Sequence, residues 1–145
     1  MKICNRFGSK GVISKLIEKE QEPYSEVTDL KPEVFISPIS IFGRKNIPFL
    51  KEIYISKIFY FLQEQCAEMA KIPKTSTSKI IKKILGVYEL LAAEKVYKDV
   101  EKLLNKSSQL KLRADIKSKK LQLRLIIEPF TNVSMSRIKQ AAELI

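Results

Sequence analysis

The cations near the N-terminus have a spacing that phosphate chemistry could use. In Lys2-Ile3-Cys4-Asn5-Arg6-Phe7-Gly8-Ser9-Lys10-Gly11-Val12-Ile13-Ser14-Lys15, the residues Lys2, Arg6 and Lys10 recur every four positions, and Gly8 and Gly11 flank the last of them. Glycine tolerates positive φ and lets another group approach the backbone closely. A basic, glycine-punctuated loop running into a strand could cradle phosphates. The same spacing also fits a solvated basic loop. Further along, Arg44 stands just before Asn46, a good helix N-cap, with Pro48 in the first turn that follows. A helix N-terminus favours anions, so a phosphate there would meet both the cation and the helix end.

These side chains need elements to hold them. Residues 11–19 mix β-branched and polar residues and predict a strand, followed by a polar loop from Gln21 to Pro32. Residues 33–37 predict a second strand stopped by Pro38, and residues 40–46 a turn. From Ile47 to about Ile72 the pattern is helical, with Leu50, Tyr54, Ile58, Phe61, Leu62, Cys66 and Met69 three or four apart, and Ile53, Ile55 and Phe59 widen the stripe, which predicts burial on more than one side. Pro73 ends it. Thr75 to Ser78 offer N-caps for a second helix reaching about Asn105, in which Gly86 is tolerated. Residues 106–120 are Lys-rich and ambiguous. Leu121 to Ile127 alternate like a strand, and Ser134 caps a final short helix carrying Ile138, Ala141, Ala142 and Ile145. The expected class is α+β, with strands carrying a long helical hairpin insertion. The expected divisions are 1–46, 47–120 and 121–145. Three strands cannot close a barrel, so they would pair with other parts of a larger chain or form a small open sheet.

Composition narrows the function classes. The 145 residues suit one domain and are 45% hydrophobic, enough for a core. Lys and Arg number 27 against 16 Asp and Glu, a net charge of +11 with no histidine. That charge is constant between pH 5 and 8 and favours polyanions. A Lys- and Ile-rich proteome would give the same bias. Cys4 and Cys66, without C-x-x-C or histidine, read as free thiols of a reducing cytosol, not a zinc site. No metal ligand set is expected. Glu18, Glu20, Glu22 and Glu26 read as solvated carboxylates. No signal-peptide core or membrane-length apolar run is seen. Tyr54, Phe59, Tyr60 and Phe61 fit core packing, although a stripe of this kind could dock a partner. The lysine face of residues 79–102 fits a solvated helix face or a phosphate grip.

The order of residues adds a resemblance. The first run resembles the K-M-A-G-R-H-G-N-K-G-V-I-S-K segment of the β (second-largest) subunit of multisubunit DNA-dependent RNA polymerases, and Lys10 to Lys15 match it without change. Glu33 to Ile39 resemble its V-D-I-V-L-N-P-L strand, and Ile41 to Ile47 its V-P-S-R-M-N-I turn, with Leu50, Glu52 and Ile53 near I-L-E. Pro23-Tyr24 sits where the family has M-P-Y. Residues 127–130 and 137–144 resemble more loosely its T-P-V-F-D-G-A segment and the following helix. The close match covers residues 2–53.

This resemblance implies a divergent fragment of the active-centre, hybrid-binding region, with strands of a partial double-psi β-barrel. It implies that Lys2 and Lys10 contact the RNA 3′ end and the incoming nucleotide, that Arg44 contacts triphosphate oxygens, and that Arg6 supports them in the Gly8–Gly11 loop. The implied partners are the rest of β, the largest subunit, template DNA, RNA and nucleoside triphosphates. Mg²⁺ is expected on the largest subunit, because nothing here resembles its N-A-D-F-D-G-D motif. The chain would then be a piece of a nucleotidyltransferase, inactive alone, working in the cytoplasm (a host's, for a phage enzyme) or an organelle and away from membranes. Asn5, Phe7 and Ser9 depart from the family's glycine, histidine and asparagine, and Phe42-Gly43 from its proline and serine. The alternative is a free-standing basic helical module that binds nucleic acid.

Overall fold

Two short strands pair antiparallel, β1 (Lys2–Cys4) and β2 (Lys10–Val12), in the register Lys2 with Val12, Ile3 with Gly11 and Cys4 with Lys10. The computed structural model describes residues 1–5, 7–26, 31–43, 45–127 and 132–145. It divides into two units, Met1–Leu50 and Lys51–Ile145.

In the N-terminal unit the strand expected over 11–19 is confined to β2, and a single 3-10 turn forms at Lys19–Gln21. The strand expected over 33–37 is absent. Those residues lack regular structure, and Pro38 opens a helix, α1 (Pro38–Phe42), instead of stopping a strand. Proline suits that place because the first helical N–H has no partner in any case. Gly43 closes α1 by donating its N–H to the Ile39 carbonyl at 2.9 Å. A Cβ on Gly43 would lie 3.1 Å from that oxygen. A β-branched run becomes a strand only where another strand takes up its N–H and C=O groups, and the described residues supply a two-stranded sheet only. No described residue of this unit is buried.

The second unit is helical: most of α2 (Ile47–Lys71), then α3 (Thr77–Leu91), α4 (Glu94–Lys106), α5 (Gln109–Lys117) and α6 (Met135–Glu143). The core comes from Ile55, Ile58, Phe59, Leu62, Cys66 and Ala70 of α2, Ile80, Ile84, Val87 and Leu91 of α3, Leu104 of α4, Leu112 and Ile116 of α5, and Ile138 and Ala141 of α6. The face of α2 turned inward is thus centred on the Ile55–Phe59 side of the expected wide stripe, and Ile53 on its other side is exposed. Tyr54 is exposed, and Phe61 is only half-buried. Phe59 meets Tyr88 edge to face at 5.1 Å. Ser76 and Ser134 cap α3 and α6 as expected, accepting the N–H of Lys79 and Arg137 at 3.3 Å.

The second helix expected to about Asn105 is broken at Ala92–Ala93, which are extended. The phase of the apolar residues explains the break. Continued at 3.6 residues per turn, the stripe Ile80, Ile84, Val87, Leu91 would reach Lys95, Lys98 and Lys102 and bury them. Restarting at Glu94 turns Tyr97, Val100 and Leu104 inward instead. The ambiguous Lys-rich stretch becomes α5, held by buried Leu112 and Ile116. Arg113 of α5 donates to the carbonyls of Ala70 (3.2 Å), Ile72 (2.6 Å) and Thr75 (2.6 Å). It thereby satisfies the Ala70 carbonyl in the last turn of α2, where helical partners are lacking, and ties down the turn that follows.

Residues 121–127 keep the expected alternation but form no strand. Leu121, Leu123 and Leu125 pack on the core while Gln122 and Arg124 face water. Side chains replace a neighbouring strand: Leu123 N–H donates to Gln63 Oε1 at 3.3 Å, and Tyr88 Oη donates to the Arg124 carbonyl at 2.7 Å. The fold is mostly helical with one small sheet, α+β in that coarse sense.

Candidate functional site

Side chains alternate across a strand, so Lys2 and Cys4 share one face of β1. The register sets Val12 opposite Lys2 and Lys10 opposite Cys4. Lys2 and Lys10 therefore lie diagonally on the same face of the ribbon, with α-carbons about 7–8 Å apart in such pairs. Both are exposed. Long, flexible stems let both ammonium groups reach one anion.

The loop between the strands is built by Asn5. Its N–H donates to the Ser9 carbonyl at 2.9 Å, and its Oδ1 accepts the N–H groups of Phe7 and Ser9, each at 3.0 Å. Gly8 donates its N–H to the Asn5 carbonyl at 3.2 Å and adopts φ +80°. That conformation requires glycine here. Gly11, by contrast, lies in β2 opposite Ile3 and not in the turn. The Ser9 hydroxyl is shut from solvent with no partner among the described residues.

A second tie joins this loop to the start of α2. Asn46 Nδ2 donates to the Phe7 carbonyl at 2.9 Å, and the Phe7 and Phe49 rings lie 5.8 Å apart. The Asn46 carbonyl accepts the Leu50 N–H at 3.3 Å, which begins the helix. Arg6 and Arg44, both expected at this site, lie outside the described residues. The structure thus brings Lys2, Lys10 and the Gly8 turn together and fixes the turn to a residue two positions after Arg44. Asn5 and Asn46 position this turn; spacing alone did not single out Asn5, and it marked Asn46 only as a helix start. Asparagine side chains readily close turns on nearby backbone, and that signal was available at Asn5.

Other candidates resolve differently. Glu22 pairs with Lys31 at 3.6 Å, both on the surface. On α4, Lys98 pairs with Glu94 at 2.6 Å, and Lys95 and Lys102 are interspersed with Asp99 and Glu101. Lys83 of α3 donates to Gln65. No group of three or more metal-ligating side chains occurs among the described residues, and no helix there is long and apolar enough to cross a membrane. The two thiols differ: Cys4 is exposed, whereas burial pushes Cys66 up to about 11, with Lys83 pulling the other way.

A family model described as RNA polymerase Rpb2, domain 6, matches residues 2–127. The match runs through the helices, well past the motifs readable at residues 2–53. The chain is similar to the DNA-directed RNA polymerase subunit beta of Carsonella ruddii, 22% identical over 99% of this chain but only 11% of that protein. It is 50% identical to the Plasmodium falciparum subunit over 46 residues, and 36% identical to that of Staphylococcus aureus over 55 residues, 4% of each relative. The chain thus spans about a tenth or less of the curated relatives it matches. No solved structure matches it.

Proposed function

Because the chain belongs to the RNA polymerase Rpb2 domain 6 family and is part of a DNA-directed RNA polymerase β subunit, we propose that it works inside an assembled multisubunit enzyme, where Lys2 and Lys10 contact phosphates of the RNA 3′ end and the incoming nucleoside triphosphate. The observation that carries this reading is the ribbon register, which sets both lysines on one face. Nucleotidyl transfer depends on positioning and on charge stabilisation more than on covalent protein chemistry. Lysine supplies a compact charge on a flexible stem, suited to a phosphodiester that moves each cycle. Arg44 would add a planar fork for triphosphate oxygens, and Arg6 would support it. The metal chemistry belongs to Mg²⁺ on the largest subunit; this chain binds, orients and neutralises.

The remainder of β would complete a barrel around β1 and β2. Val34, Phe35, Ile36, Ile39 and Phe42 are all exposed, and such apolar surface and open strand edges suit a covering partner. The test is a reconstituted polymerase carrying single charge removals. Lys10→Ala is expected to slow nucleotide addition about a hundredfold, the range for one lost transition-state contact. Arg44→Ala should raise KM for the nucleotide more than it lowers kcat. Normal kinetics in a Lys2→Ala/Lys10→Ala double variant would overturn the assignment.

A further inference from the structure

We propose that the groove between α2 and α6 docks an acidic, amphipathic helical segment of a second polypeptide. The groove encloses about 770 Å³. Tyr54, Ile58 and Phe61 of α2 form one wall, and Met135, Ile138 and Ala142 of α6 the other. Tyr54 is 53% exposed and Met135 50%, so the apolar lining is open to water. Methionine adapts its shape to irregular ligands. Every described lining residue belongs to Lys51–Ile145, so this surface is additional to the lysine ribbon.

The charges select the occupant. Lys57 stands on one wall and Lys139 on the other, and no aspartate or glutamate is among the described lining residues. Lys57 Nζ lies 5.9 Å from the centre of the Phe61 ring, which holds the ammonium at the groove edge. Gln65 is already engaged by Lys83 and by donation to the Ile145 carbonyl. An occupant therefore needs an apolar stripe for the floor and carboxylates at its borders. A helix with apolar anchors three and four apart supplies the stripe. A second copy fits poorly, because self-complementary pairing sets lysine against lysine in a chain of net charge +11. Nucleic acid offers anions but no apolar stripe for this floor.

The test uses the whole chain and two fluorescein-labelled synthetic helical peptides with the same Leu/Phe stripe. One is bordered by glutamates and the other by lysines. Fluorescence anisotropy should give binding of the glutamate peptide at least tenfold tighter than the lysine peptide, weakening as salt is raised. Lys57→Glu/Lys139→Glu should reverse that order, and Ala142→Trp should abolish both complexes. Circular dichroism melts matching the parent chain establish that the variants are folded; Met135→Glu, at an exposed position, replaces any that is not, and should weaken the glutamate peptide at least tenfold. Equal binding of the two peptides, no binding of either, or no reversal in the double variant would overturn the proposal.

Discussion

The two units of this chain use apolar residues in opposite ways. The helical unit gathers its isoleucines, leucines and valines into one cluster in which Leu62, Ile80, Ile84 and Val87 lose all exposure. The N-terminal unit is also rich in β-branched and aromatic residues, yet none of its described residues is buried. Its order comes from backbone hydrogen bonds, the Asn5 turn and the Asn46 tie. Burying a large aliphatic side chain contributes about 1.5–3 kcal/mol, while a net hydrogen bond contributes about 1 kcal/mol. Stability is therefore concentrated in residues 51–145, and the chemistry proposed for the lysines is concentrated in residues 1–50. A site held mainly by short polar contacts suits a surface that another part of an enzyme completes.

Each unit carries one cysteine, which makes the contrast measurable. Cys4 should react with a thiol reagent at pH 8 like a free thiol. Cys66 should react at least about a thousandfold more slowly, corresponding to roughly 4 kcal/mol of protection by folding. Similar rates would erase the distinction between the units. The same burial gives a pH dependence. Cys66 is raised from 9.0 to about 11 and Tyr88 from 10.0 to about 12, chiefly by burial of their neutral forms. Folding then holds their protons more tightly than the unfolded chain does. The helical unit should keep this contribution below pH 9 and lose it progressively as pH rises through 11 and 12, as a fall in the urea midpoint.

Substitutions extend the contrast on a descending scale. Leu62→Ala, at a fully enclosed position, should lower unfolding free energy by about 3 kcal/mol in urea titrations. A loss below about 1 kcal/mol would mean the core is looser than its packing indicates. Arg113→Ala removes the donor to the Ala70 carbonyl at the α2 end and to the Ile72 and Thr75 carbonyls just beyond it and should lose about 2 kcal/mol. A lysine there should recover little, because it lacks the fork. Gly8→Ala places a Cβ on a backbone at φ +80°, a local strain of about 1 kcal/mol. It should shift the amide resonances of Ile3 and Gly11 while leaving the helical unit's urea midpoint unchanged, since no described core residue comes from Met1–Leu50. A shifted midpoint would show that the two units share stability.

Local features were readable wherever a residue acts on its immediate neighbours. Ser76 and Ser134 cap the helices they precede, Pro73 follows the end of α2, and Gly8 occupies a positive-φ turn. The lysine pair was readable as a motif, but its common face follows from the register of β1 and β2. Asn46 could be read as the start of a helix; its bond to Phe7, 39 residues earlier, could not.

The amino-acid order alone therefore determined the family, the basic glycine loop, the starts of α2, α3 and α6, and the alternation of residues 121–127. These depend on residue identity or on contacts within a turn. Tertiary structure decided the rest: the break at Ala92–Ala93, the inward face of α2, and the fate of the alternating stretches. Alternation states which side of an extended chain is apolar, but a strand exists only where another strand takes its hydrogen bonds. For residues 121–127 those groups met Gln63 and Tyr88 instead. A helix phase likewise becomes costly only when a core is present to receive the wrong residues, and for Lys98 and Lys102 that core is made by α2, α3 and α6.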